Sequence, residues 1–205
     1  GPSDVAFHLM PFYHTMSASM ALCQFYVSGT NVITQNLDPD LFWRMVKEEG
    51  VTHVTLVFTA LNDIIKAYKE KGYSKEAFRY FSVGGQTTPT EILRDTIQAL
   101  GPESVFLVYG LTEASPLITY LPPEELVLEG KRSRLLASVG KELCSCHVRV
   151  VDENDKDVAP GQLGELIAKG PNVMQDYWKR PQETATTLKG GWLRSGDVVM
   201  VDEEG

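Results

Sequence analysis

The sequence predicts an α/β fold, a layered and mostly parallel βα subdomain followed by a small antiparallel, barrel-like β subdomain. Two observations carry this. Through the first half, β-rich runs alternate with helical stretches of ten or more residues, the pattern of βα units around a parallel sheet. Further on, short stretches of alternating residues lie between turn signals, as in small β units. The change of texture puts a boundary near 130, giving 4–130 to the first subdomain and 131–205 to the second.

Taken in order, Val5 to Met10 is a strand stopped by Pro11. Met16, Met20, Cys23 and Val27 then recur at helical spacing over a helix from Thr15 to Val27, which Ser28-Gly29 ends. A strand follows at Asn31 to Thr34. Asp38-Pro39-Asp40 opens a helix to about Glu49, with Gly50 past its end. Thr52 to Phe58 is a β-branched strand, and Ala60 to Lys71 a helix closed by Gly72. Arg79 to Val83 is a strand entering Gly84-Gly85, and Pro89 to Leu100 a helix. Ser104 to Tyr109 is a strand entering Gly110-Leu111-Thr112-Glu113.

Pro122-Pro123 and the charged run from Glu124 to Arg134 read as an exposed connection. Short strands follow at Ser138-Val139, His147 to Val151, Gly164 to Lys169 and Val198 to Val201. The segments Asp152 to Asp155 and Pro160-Gly161 are turns between them. The last strand and the turn Asp202 to Gly205 look like half a hairpin, as in a piece of a larger protein. Gly1-Pro2-Ser3 resembles the scar of tag removal and is left out of the fold.

The composition excludes several classes. At 43% apolar and 22% charged residues the chain is neither collagen-like nor low-complexity. With a net charge of -8 and no basic stripe, nothing attracts a nucleic-acid backbone. Three cysteines cannot build a disulfide framework, and Cys144-x-Cys146 lacks the second ligand pair of a zinc site. These two are expected on one side of a strand, as small buried hydrophobes. No apolar run reaches the roughly 18 residues of a membrane span.

Ligands of parallel sheets bind beyond the carboxyl ends of the strands. Gly84-Gly85-Gln86 and Tyr109-Gly110-Leu111-Thr112-Glu113 lie there, as do Tyr13 and His14. A threonine hydroxyl can hold a phosphate oxygen, and a carboxylate beside it can hold Mg2+ on that phosphate. Glycine there lets backbone approach a ligand closely. In Gly191-Trp192-Leu193-Arg194-Ser195-Gly196-Asp197, the aspartate is placed to accept hydrogen bonds from a ribose diol.

Read together with Phe7 to His14, Gly164-Glu165-Leu166, Gly170-Pro171 and Tyr177, these motifs resemble the adenylate-forming superfamily. It comprises acyl- and aryl-CoA ligases, beetle-luciferase-like enzymes and peptide-synthetase adenylation domains, and the CoA-ligase branch is the most similar. The resemblance spans the chain beyond the scar. It implies that a small-molecule carboxylic acid attacks the α-phosphate of MgATP, giving an acyl-adenylate and pyrophosphate, and that CoA then takes the acyl group.

On the same resemblance Thr112 contacts the α-phosphate, Glu113 ligates Mg2+ and Asp197 holds the ribose. Gly84, Gly85, Gln86, Tyr109 and Gly110 frame the adenine and acyl group, with Tyr109 stacking on the base. His14, Tyr13, Met16 and Phe58 line the acid pocket. Two stretches depart from the usual pattern: Gln86-Thr87-Thr88 stands where Ala-Pro-Leu is common, and Leu107-Val108 where polar residues or glycine are common.

The family's phosphate loop, ribose-binding arginine, hinge and C-terminal domain with its adenylation lysine fall outside these 205 residues. The isolated chain is therefore expected to need its missing N-terminal segment and C-terminal domain for activity. A cytoplasmic location is expected for the parent, with peroxisome and mitochondrion as alternatives. The rival readings are a luciferase-like or peptide-synthetase-type enzyme, and a non-catalytic relative that binds nucleotide or a partner.

Overall fold

Short strands, the central ones buried on both faces, alternate with helices in the first half, which is what a parallel sheet covered by helices requires. The computed structural model describes residues 1–36, 38–74 and 78–204. Gly205, the last residue of the predicted terminal turn, lies outside them. The chain divides into two units, one of residues 1–109 and 120–140, the other of 110–119 and 141–205. No helix among the described residues is long and apolar enough to cross a membrane.

The first unit runs β1 (Val5–His8), α1 (Thr15–Tyr26), β2 (Thr30–Ile33), α2 (Pro39–Glu48), β3 (His53–Leu56), α3 (Phe58–Lys71), β4 (Tyr80–Val83), α4 (Thr90–Leu100) and β5 (Val105–Tyr109). The strand order is β2-β1-β3-β4-β5, each neighbouring pair parallel, with β6 (Thr119–Leu121) next to β5. In this doubly wound order the chain leaves β1 in both directions, so the topological switch point lies between β1 and β3.

Helix α2 starts where the sequence says it should. The Asp38 carboxylate accepts from the backbone N–H groups of Asp40 (2.8 Å) and Leu41 (3.0 Å), and Pro39 takes the first turn. Its inner face, Phe42, Trp43 and Val46, meets Phe7 and Phe78, and the Trp43 indole donates to the Ile64 carbonyl at 3.0 Å. Helix α3 ends at Gly72, whose φ of 66° closes it in the left-handed conformation that glycine adopts at least cost. Phe58, expected to end β3, instead begins this helix.

Helix α1 differs from expectation. Its buried face is Ser17, Ala21 and Gln24, while Cys23 is exposed and Leu22, Phe25 and Tyr26 point outward. Small and amide side chains face inward because the turn after the helix comes close. A β-carbon on Gly29 would lie 1.9 Å from Gln24 Oε1 and 2.9 Å from the Asp4 carbonyl oxygen.

The expected exposed connection also differs. It contains two 3-10 turns, Pro123–Glu125 and Lys131–Ala137, and sends Leu126, Leu135 and Leu136 inward. Arg94 Nη1 donates to the Leu128 carbonyl at 2.5 Å, pinning the segment to α4. Ser138-Val139 is consequently no strand, because burial of Leu135 and Leu136 carries the helical turn up to it.

The second unit contains β7 (Lys141–Glu142), β8 (His147–Val151), β9 (Leu163–Lys169), α5 (Pro181–Thr187), β10 (Leu188–Lys189) and β11 (Trp192–Met200). Its antiparallel sheet has the order β10-β11-β9-β8. The last strand begins at Trp192 rather than Val198. Cys144 and Cys146 lie in the turn before β8, not in a strand; Cys144 is exposed and only Cys146 is buried.

Candidate functional site

In the first unit, the predicted pocket and base-binding residues lie past the carboxyl ends of the parallel strands. Phe12, Tyr13 and His14 follow β1, and Val57-Phe58 follow β3, so these two groups flank the switch point. Tyr13 is 83% exposed and its ring lies 4.8 Å from that of His14, which precedes α1 without capping it through its side chain. Met16 stands in the first turn of α1. One turn further, Met20 Sδ lies 4.0 Å from the Thr55 hydroxyl on β3, so this face of α1 covers β3.

Gly84 and Gly85 follow β4, beside the end of β5, since Val83 pairs with Leu107. Gly84 is buried, and a β-carbon there would lie 2.6 Å from Val108 Cγ2 and 2.7 Å from the Val108 carbonyl oxygen. Gly85 has φ +79° and is exposed, as is Gln86. The structure thus brings the start of the 84–86 loop beside Val108 at the end of β5.

In the second unit, Gly110 opens a loop that folds back on itself. A β-carbon on it would lie 1.8 Å from the Pro116 carbonyl oxygen, so the missing side chain makes room for the loop's own backbone. Thr112 is exposed, and Glu113 is half-buried on the same short turn, Thr112–Ala114.

Four hydrogen bonds from a segment some sixty residues later fix this loop. Asn172 Nδ2 donates to the carbonyls of Ala114 (3.1 Å) and Leu117 (2.9 Å), and the Met174 N–H donates to the Glu113 carbonyl (2.8 Å). The Tyr177 hydroxyl donates to Glu113 Oε1 at 2.6 Å. Giving that hydrogen bond to a carboxylate, with some burial, pushes the Tyr177 phenol above its ordinary pKa, partly opposed by a hydrogen bond with Thr187.

The loop's donors are hard oxygens. Among the described residues no three His, Cys, Asp or Glu side chains gather to hold a metal ion. One carboxylate beside a hydroxyl is the donor set for an ion that arrives on a nucleotide's phosphates. Mg2+ binds in this way, through one or two carboxylates while keeping some of its waters.

Asp197 lies elsewhere in the second unit, on an irregularity of β11. Arg194 pairs with Ile167 and Val198 with Glu165, so three residues of β11 oppose the single Leu166 of β9. Gly196, at φ +75°, makes the turn. The bulge is tied down on every side. Ser195 Oγ donates to the Leu166 carbonyl (2.7 Å) and accepts the Asp197 N–H (3.0 Å), and Glu165 Oε1 accepts the Gly196 N–H (3.2 Å). Glu165 Oε2 pairs with Arg194, which also pairs with Asp155. Asp197 itself is exposed.

Sequence reasoning assigned no role to Asn172, Glu165 or Tyr177. Glu165 and Tyr177 stood inside recognised motifs, but nothing local says what they touch.

Residues 1–178 match the AMP-binding enzyme family. A long-chain-fatty-acid–CoA ligase of Salmonella typhimurium is 32% identical over 203 residues, covering 96% of this chain and 34% of the relative. A 2-succinylbenzoate–CoA ligase of Bacillus cytotoxicus is 30% identical over 197 residues, covering 96% and 39%. This chain therefore spans little more than a third of the curated relatives it matches.

Among solved structures, the amide bond synthetase of Marinactinospora thermotolerans superposes with a TM-score of 0.89 at 28% identity. It covers all of this chain, and 40% of that protein is matched. The o-succinylbenzoate CoA synthetase of Bacillus subtilis, solved with ATP and a magnesium ion, gives 0.85 at 28% identity, covering 98% and 40%.

Proposed function

From a chain that belongs to the AMP-binding enzyme family, we propose part of an AMP-forming acid–thiol ligase, which converts a carboxylic acid and ATP to an acyl-adenylate and then to a CoA thioester. The observation that carries this reading is the loop after β5, where an exposed threonine stands beside a glutamate whose backbone and side chain are both pinned. Such a loop can present oxygen ligands to a triphosphate without first having to order itself.

On this reading Thr112 donates to the α-phosphate and Glu113 ligates the magnesium ion carried by ATP. The ion, when bound, neutralises charge on the phosphates as the acid's oxygen attacks and pyrophosphate leaves. Asp197 accepts from the ribose hydroxyls, its place set by the bulge. Gly84, Gly85, Gln86 and Gly110 frame the adenine and acyl group, and Tyr109 stacks on the base. Tyr13, His14, Met16 and Phe58 flank the switch point, where the acid is held. In-line displacement needs little covalent help from the protein, so positioning and charge account for the catalysis.

Acid-dependent ATP–pyrophosphate exchange on the full-length parent tests this, across a panel of aliphatic and aromatic acids. Exchange with at least one acid is expected. Glu113→Ala should lower it about 100-fold or more, by analogy with loss of one preorganised electrostatic contact. Asp197→Ala should raise the KM for ATP about tenfold or more, the scale of a hydrogen bond to a charged group. ATP binding without exchange for any acid favours a non-catalytic relative. The likeness to an amide bond synthetase supports a second reading, in which an amine rather than CoA takes the acyl group. Supplying each acceptor to the preformed acyl-adenylate separates the two.

A further inference from the structure

The segment from Asn172 to Tyr177 holds Glu113 at two independent points, the carbonyl through Met174 and the carboxylate through Tyr177. Tyr177 is itself anchored without help from Glu113. Its N–H donates to Thr184 Oγ1 at 2.9 Å, and its carbonyl accepts the Arg180 N–H at 2.9 Å. Both partners belong to the entry of α5, so the phenol is presented by a fixed frame rather than drawn in by the carboxylate.

We propose that Tyr177 is a positioning residue whose hydroxyl holds Oε1 of Glu113 and so directs Oε2 to the magnesium ion of MgATP. This rests on the reading of Glu113 as the ion's ligand. An unrestrained glutamate must freeze three side-chain torsions when it binds an ion, and a partner that freezes them beforehand removes that cost from the binding step. The donor's chemistry matters as much as its place. A lysine or arginine would neutralise the carboxylate and repel the incoming cation, whereas a phenol fixes the group and leaves its negative charge in place.

The test uses the full-length protein bound to α,β-methylene-ATP, whose scissile bridge cannot break, with Mn2+ as the probe read by electron paramagnetic resonance. Tyr177→Phe is expected to weaken Mn2+ binding about tenfold, with thermal stability and metal-free nucleotide affinity little changed. Glu113→Gln should weaken it too, and the double variant should bind no more weakly than Glu113→Gln alone. Unchanged Mn2+ affinity in Tyr177→Phe, with a loss in Glu113→Gln, overturns the role of Tyr177 and leaves Glu113 as the ligand. No loss in Glu113→Gln overturns the ligand reading itself. Should Tyr177→Phe not fold, Tyr177→Leu, which also removes the hydroxyl that donates to Glu113 while keeping an apolar side chain, takes its place with the same outcomes.

Discussion

His8 ends the strand that leads into the proposed acid pocket, and it is 2% exposed with its Nε2 2.7 Å from Asn31 Oδ1. Burial pushes its pKa below the ordinary 6.5, and the hydrogen bond with Asn31 opposes this only in part. The unfolded chain therefore takes up a proton near pH 6.5 while the folded one does so only at lower pH. Stability is full above that range and falls as the pH drops from 6.5 toward the folded-state value. His53, half-buried and hydrogen-bonded to Thr52, shifts in the same direction. The unfolding free energy in urea should be lower at pH 5.5 than at 7.5, and His8→Asn should shrink the difference; an unchanged difference would remove His8 from the account. At this scale the sequence named residues better than reasons. Gly84 and Gly110 also have an internal reason to be glycine, since Val108 and Pro116 occupy the space their side chains would need. Such contacts join residues that no local pattern links.

Among the elements, those with capping and punctuation signals were legible. Asp38-Pro39 and Gly72 mark the ends of α2 and α3 within two residues of where they fall. Helix α1 was legible as a helix but not by its face, because its inward side is set by the close approach of Gly29 and Asp4 rather than by apolar spacing. Strand β11 was cut short in the reading, since Ser195-Gly196-Asp197 looks like a turn and is instead a bulge inside a continuous strand. That bulge depends on Glu165, whose two oxygens serve Gly196 and Arg194. In the full-length parent, Glu165→Ala should raise the KM for ATP several-fold and narrow the preference for ATP over 2′-deoxy-ATP, with Glu165→Gln recovering part of it. A preference that is unchanged in Glu165→Ala would show that Asp197 keeps its place unaided.

For the whole molecule, the alternation of strands and helices was enough to foresee a parallel sheet and a smaller antiparallel one. It could not show that residues 110–119 join the second unit while 120–140 return to the first. The change of texture near 130 reflects composition, whereas the division follows long-range contacts. Because the chain spans little more than a third of its curated relatives, we expect the 205 residues alone to give no ATP–pyrophosphate exchange; exchange by the isolated chain would show that they suffice. The interleaving of the units also sets an order in time. Glu113 leaves the ribosome 64 residues before Tyr177, the partner that fixes its carboxylate. At about 5–20 residues per second the loop then waits roughly 3–13 seconds for that partner. The proposed ATP-binding loop is thus completed only seconds after the strand that leads into it has been made.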